Sequence, residues 1–130
     1  MTMFSEVAES VRNTIAAYTL ALDDGRTDDV VATFWPDASI DIAGMGHHEG
    51  TDALRDAYTK WQPRGAQRHL VLNTHITTWS ATEATATSDV VFLFRGEAGW
   101  AVHLVGRYTD VLRQSDGEWR FSSRTAEFVS

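Results

Sequence analysis

Apolar residues recur every three or four positions at the start of the chain, at Phe4, Val7, Val11, Ile15, Tyr18 and Leu22, which is the stripe of an amphipathic helix. The spacing predicts a helix from about Ser5 to Leu22, with Gly25 as its stop. Thr27, Asp28 and Asp29 then offer an N-cap and an acidic first turn for a second, short helix through Val30, Val31 and Phe34. Pro36 bars its continuation. Residues 38–43 read as a short strand with Ile40 and Ile42 on one face, and Gly44-Met45-Gly46 turns it into a second extended piece over 47–50. A third helix begins at Thr51 and Asp52, carries the stripe Ala53, Leu54, Ala57, Tyr58 and Trp61, and is stopped by Pro63 and Gly65.

Beyond Gly65 the helical period vanishes. Three long extended runs, about 67–79, 84–95 and 98–113, and a shorter one near 118–128 are divided by turn residues at 80–83, 96–99 and 115–117, the pattern of an antiparallel meander. Strands of this length exceed the usual five or six residues and call for strong twist or a bulge, so the expected sheet is curved. Helices first and sheet second describe an α+β fold with the helices on one face of the sheet.

Composition narrows this picture. The chain has 130 residues without a repeat or a composition break, so a single domain over 1–130 is expected. With 43% hydrophobic residues, five Trp, six Phe and three Tyr, it has apolar surface for a core and for the walls of a cavity. Eleven basic against eighteen acidic residues give a net charge of −7, and no basic run occurs, which argues against nucleic acid and anionic membrane as partners. The absence of cysteine rules out disulfides, a thiol nucleophile and thiolate metal ligation. The apolar stretch from Ile15 to Leu22 runs into Asp23-Asp24 rather than a small-residue cleavage site, so it reads as helix and not as a secretory signal. No apolar run approaches the roughly 18 to 20 residues that span a bilayer. A soluble, cytoplasmic protein is the expectation.

The strand QRHLVLNTHI carries the chemistry. His69, Asn73 and His75 stand at i, i+4 and i+6, which in a regular pleat puts all three on one face. His69 is a candidate general base or a structural histidine. Asp23, just past the predicted end of the first helix, is either a solvated loop carboxylate or the partner of an imidazole, which it would hold in one tautomer. Arg124 is either a surface charge on the last strand or an anion-stabilising group beside a pocket. Tyr18, Asp41, His47, His48, His103, Tyr108 and Asp110 complete the candidates, and which of His47, His48, His75 and His103 faces a pocket stays open. Metal binding is not expected: His47 and His48 alternate onto opposite faces, and no His-Glu-x-x-His helix is present. There is neither a Gly-rich phosphate loop nor a G-x-S-x-G elbow.

The order of helices, the segments FWPDASIDIAG, HHEG and QRHLVLN, and the ending GRYTDVLRQSDGEWRF resemble the SnoaL-like group of the nuclear transport factor 2 superfamily over essentially the whole chain. The resemblance implies an NTF2-like, cystatin-like cone, a curved antiparallel sheet wrapped on three helices around a pocket, often dimeric through the outer sheet face. Within that group the motifs most resemble the scytalone dehydratases and hexachlorocyclohexane dehydrochlorinases. In those enzymes an aspartate after helix one pairs with a histidine early in the first long strand, matching Asp23 in ALDDGR and His69 in RHLVLN. Asn73 and Arg124 match two further dehydrochlorinase positions, whereas Tyr18 stands where that family has lysine.

The resulting expectation is a cofactor-free lyase, dehydratase or isomerase. His69 takes a proton from carbon, Asp23 orients the ring, and Arg124 with Tyr18 or Asn73 supports the anion that develops. A small, mostly apolar cyclic substrate would lie against Phe34, Trp35, Trp61, Phe92 and Tyr108. The rival readings are a non-catalytic small-ligand-binding or accessory protein of the same fold and a scaffold subunit of a larger oxygenase. The implied partners are a small hydrophobic molecule and further copies of the chain, as a homodimer or higher oligomer.

Overall fold

The computed structural model describes residues 1–129. Helix α1 (Phe4–Asp23) buries Val7, Val11, Ile15 and Tyr18, so the apolar stripe is the face that packs. Its end is a tight turn: Arg26 N–H donates to Ala21 O at 2.9 Å, and Gly25 sits at φ +72°, a left-handed conformation that costs glycine little. That turn leaves Asp23 on the last residue of the helix, facing the sheet.

Helix α2 (Thr27–Val31) is shorter than the spacing suggests. Phe34, expected as its last apolar residue, instead begins strand β1 (Phe34–Ile42), because Thr33 O accepts the Phe121 N–H at 2.8 Å and draws the chain into the sheet. Pro36 lies where the β1 ladder is interrupted, between Phe34 and Ser39, a position that needs no N–H. Strand β2 (Gly46–Glu49) closes the hairpin, and helix α3 (Thr51–Lys60) buries Leu54, Ala57 and Tyr58.

Strands β3 (Gln67–Trp79), β4 (Glu83–Gly96), β5 (Gly99–Ser115) and β6 (Glu118–Phe128) form the expected antiparallel meander. The six-stranded order is β2-β1-β6-β5-β4-β3. The ladder between β1 and β6 is parallel, so the curved, unclosed sheet is mixed rather than antiparallel throughout. The crossover through β2, α3 and three strands sets that direction.

The helices lie on one face, with α1 against β3, β4 and β6 and α3 against β1 and β2. Val7, Val11 and Ile15 of α1 share one buried core with Ala84, Ala86, Leu112 and Phe121. At the other end, past Ile15, the space between the helices and the sheet is not filled. No helix among the described residues is long and apolar enough to cross a membrane.

Candidate active site

The unfilled end is a cavity of about 160 Å³. Tyr18 and Leu22 of α1, Tyr58 of α3, Trp61, and Ile42 and Met45 of the hairpin line it. Gln67, His69, Val90, Phe92, Leu104, Gly106, Tyr108, Ala126 and Phe128 of the sheet complete the lining. Its size suits a single small ring. At Gly106 an added Cβ would lie 2.6 Å from Glu127 O, so a side chain would force β5 from β6 beside the cavity.

Asp23 and His69 meet at the wall. Asp23 Oδ1 lies 2.7 Å from His69 Nδ1, and Asp23 Oδ2 accepts the His69 backbone N–H, also at 2.7 Å. Gln67 Nε2 donates to Oδ1 at 3.1 Å. The two side chains are 6% and 17% exposed, so water competes little for these bonds. A carboxylate only accepts, so a neutral His69 must carry its proton on Nδ1 and present Nε2 as a base. The ring is also held by stacking on Phe92, with centroids 4.5 Å apart.

Two other lining residues are joined to each other: the Tyr18 and Tyr58 hydroxyls are 2.7 Å apart. One donates to the other, which leaves the acceptor's own O–H free to donate elsewhere. Burial pushes the phenols of Tyr18, Tyr58 and Tyr108 upward, with the nearby Arg124 charge opposing it in part, so all three remain neutral donors.

Arg124 does not reach the cavity surface. It is fully buried and bidentate to Asp110, with Nε to Oδ1 at 2.7 Å and Nη2 to Oδ2 at 2.9 Å. Burial opposes its charge, but the Asp110 carboxylate outweighs that and raises its pKa. The guanidinium carbon lies 3.7 Å from the Tyr108 ring centre and 4.4 Å from that of Tyr18. Direct contact with a substrate anion, the expectation from its position in the chain, is therefore replaced by a charge lodged behind two of the tyrosines that line the cavity.

Three residues expected at the substrate lie elsewhere. Asn73 occupies a bulge at φ +56°, where the β3–β4 register shifts between Leu72 and His75, and donates to Asp89 Oδ2 on the outer sheet face at 2.8 Å. The extra residue reverses the alternation, so His69, Asn73 and His75 do not share a face: Ile76 is the next buried position and His75 is exposed. Trp35 follows the buried Phe34 and points away from the core, its Nε1 bonding Arg113 O at 3.0 Å and its ring under Arg120. Phe34 itself packs in the core rather than on the cavity.

The structure brings Tyr18, Trp61, His69, Phe92 and Tyr108 together at the cavity, with Asp23 behind the histidine. His48 lies edge-on to Trp61, and His103 edge-on to Phe92, each outside the lining. Asp41 holds His47 on the exposed hairpin. Tyr58 and Gln67 were not anticipated. Gln67 carried a signal, since it stands two residues before His69 and therefore on the same strand face. Among the described residues no group of three or more His, Cys, Asp or Glu is placed to hold a metal ion.

The family model described as SnoaL-like domain matches residues 5–125. The chain is 26% identical to the gamma-hexachlorocyclohexane dehydrochlorinase of Sphingobium indicum over 110 residues, 82% of this chain and 70% of that protein. A protein of unknown function with a cystatin-like fold from Nostoc punctiforme superposes with a TM-score of 0.87 at 21% identity, covering 99% and 96% of the two chains. A candidate scytalone dehydratase from Novosphingobium aromaticivorans superposes with a TM-score of 0.83 at 24% identity, covering 95% and 84%. The structural likenesses establish the cystatin-like, NTF2-like fold.

Proposed function

The chain belongs to the SnoaL-like domain family, and on that footing we propose that it is a cofactor-free lyase acting on a small, mostly apolar cyclic substrate. The observation that carries this reading is the 2.7 Å bond from His69 Nδ1 to Asp23 Oδ1, on a ring that lines the cavity. His69 Nε2 takes a proton from a substrate carbon, the C–H electron pair becomes the new double bond, and the leaving group departs with its own bonding pair. Asp23 balances the imidazolium that forms. Of the Tyr18–Tyr58 pair, the hydroxyl that accepts from the other donates its own hydrogen to the departing or developing anion, and Arg124, as a positioning residue, holds positive charge behind Tyr18. Returning the proton to a different carbon would make the same site an isomerase.

Two of the three similar proteins are a dehydrochlorinase and a candidate dehydratase, names that denote eliminations, which supports this reaction class. General-base assistance contributes about 10² to 10⁴ in rate. The test is elimination by the purified protein from hexachlorocyclohexane, read as chloride release, and from cyclic β-hydroxy ketones, read as enone absorbance. His69→Ala should lower turnover by at least the general-base factor while leaving the far-ultraviolet spectrum unchanged. Undiminished turnover in that variant would overturn the proposal, and a ligand bound but recovered unchanged would favour a binding module instead.

A further inference from the structure

Gln67 has one end of its amide committed and the other free, in a residue only 6% exposed that lines the cavity. Nε2 donates to Asp23 Oδ1 at 3.1 Å, the same oxygen that faces His69 Nδ1. Because a carboxylate offers no hydrogen, the NH₂ end of the amide must be the end that faces Asp23. Oε1 is therefore turned away from it, and no protein donor meets Oε1 among the described residues. Nor is this oxygen sealed in: the fully enclosed side-chain polar atom without a partner among those residues is Nη1 of Arg124.

Gln67 and His69 are two residues apart on β3, on one face, with backbones about 7 Å apart. An unmatched acceptor thus stands beside the base, in a wall otherwise made by such residues as Leu22, Ile42, Val90, Phe92 and Leu104. A ligand that covers an amide oxygen without bonding it strips off water and returns nothing. A ligand carrying a donor at that point avoids the loss.

We propose that Gln67 Oε1 is a substrate-recognition acceptor, and that the substrate ring carries an O–H or N–H donor next to the carbon whose proton His69 removes. This inference rests on the proton-abstraction reading for the position of that carbon, and it deepens it: the substrate is a hydroxylated or amino-bearing ring rather than a purely halogenated hydrocarbon. Gln67 is then specificity-determining.

The experiment is titration of the full chain with phenol, aniline, anisole, toluene and chlorobenzene, followed by calorimetry or by chemical shifts of the His69 ring. Phenol or aniline should bind about 5- to 10-fold more tightly than the three ligands without a donor, and the better of the two identifies O–H or N–H. Gln67→Met should abolish the preference while toluene affinity stays within about 2-fold. Tyr58→Phe should keep it, which separates Gln67 from the tyrosine pair. Equal affinities in the unmodified chain overturn the proposal, as does a preference that survives Gln67→Met or vanishes in Tyr58→Phe. If the methionine variant does not fold, the comparison in the unmodified chain decides. These affinities need no turnover, so donor preference in an inactive protein sinks the lyase reading, and with it the donor's place beside the abstracted proton, but leaves Gln67 as the recognition acceptor; elimination without the preference sinks only this proposal.

Discussion

Asp23 grips His69 twice, through the backbone N–H and through ring Nδ1, each at 2.7 Å. One carboxylate thus ties the ring to its own strand and determines which nitrogen faces the cavity. An asparagine cannot do both, since only one of its two ends accepts.

Asp23→Asn should therefore satisfy the backbone N–H and confront Nδ1 with an NH₂ donor, driving the proton to Nε2 and removing the base. Turnover should fall by about 10² to 10⁴, with a stability loss of about 1–3 kcal/mol because Gln67 Nε2, which donates to that same Asp23 oxygen, then meets a donor. Steady-state rates together with urea unfolding measure both. Retained activity would show that the ring's tautomer does not matter.

The Arg124–Asp110 pair is fully enclosed, so removing one partner strands a buried charge. Arg124→Met should lower unfolding free energy by about 3–5 kcal/mol, and adding Asp110→Leu should recover part of that loss. Urea midpoints of the single and double variants decide it, the double variant being expected to unfold later than the single one.

Tyr18, Tyr58 and Tyr108 are all the tyrosines of the chain, and burial raises each above its ordinary value of 10.0. In the unfolded chain they ionise near that ordinary value, so above it the unfolded state has lost protons that the folded state keeps. The stability they contribute is full below about pH 10 and declines as pH rises toward the folded values. The phenolate absorbance band should stay silent past the ordinary tyrosine range and then appear in one step with loss of helix. A gradual phenolate titration with the fold intact would count against this burial.

The outer face of β3, β4 and β5 exposes Leu70, Leu72, Trp100, Val102 and Val105 beside the Asp89–Arg107 pair. This is the surface on which the expected homodimer would form. Leu72→Lys combined with Val102→Lys should halve the mass seen by light scattering while preserving the circular dichroism spectrum. A monomeric unmodified chain would rule out this use of the face.

The α1 stripe, the α3 stripe, the three long strands and the shorter last one were legible because each is a local run between turn or stop residues. The junction at Phe34 was not, since the bond from Phe121 N–H to Thr33 O joins residues far apart in sequence. The bulge at Asn73 was also hidden. A strict alternation cannot register one extra residue, and that residue moved Asn73 and His75 off the face of His69. Trp35 was misplaced for a related reason: its neighbour Phe34 took the inward position, so the pleat sent the indole outward.

By itself the sequence determined the elements, the α+β order, the acidic and cysteine-free chemistry, and the histidine and aspartate that an active site of this kind would need. Tertiary structure decided what those groups are to one another. Asp23 and His69 stand 46 residues apart, and only the packing of the α1 terminus on the start of β3 brings them into hydrogen-bond contact. The same packing gives Gln67 its partner, while the depth of β6 encloses Arg124 with Asp110 instead of opening it to the cavity. Periodicity is local and survives in the chain as written; distance, burial and the free end of an amide arise only when the chain closes on itself.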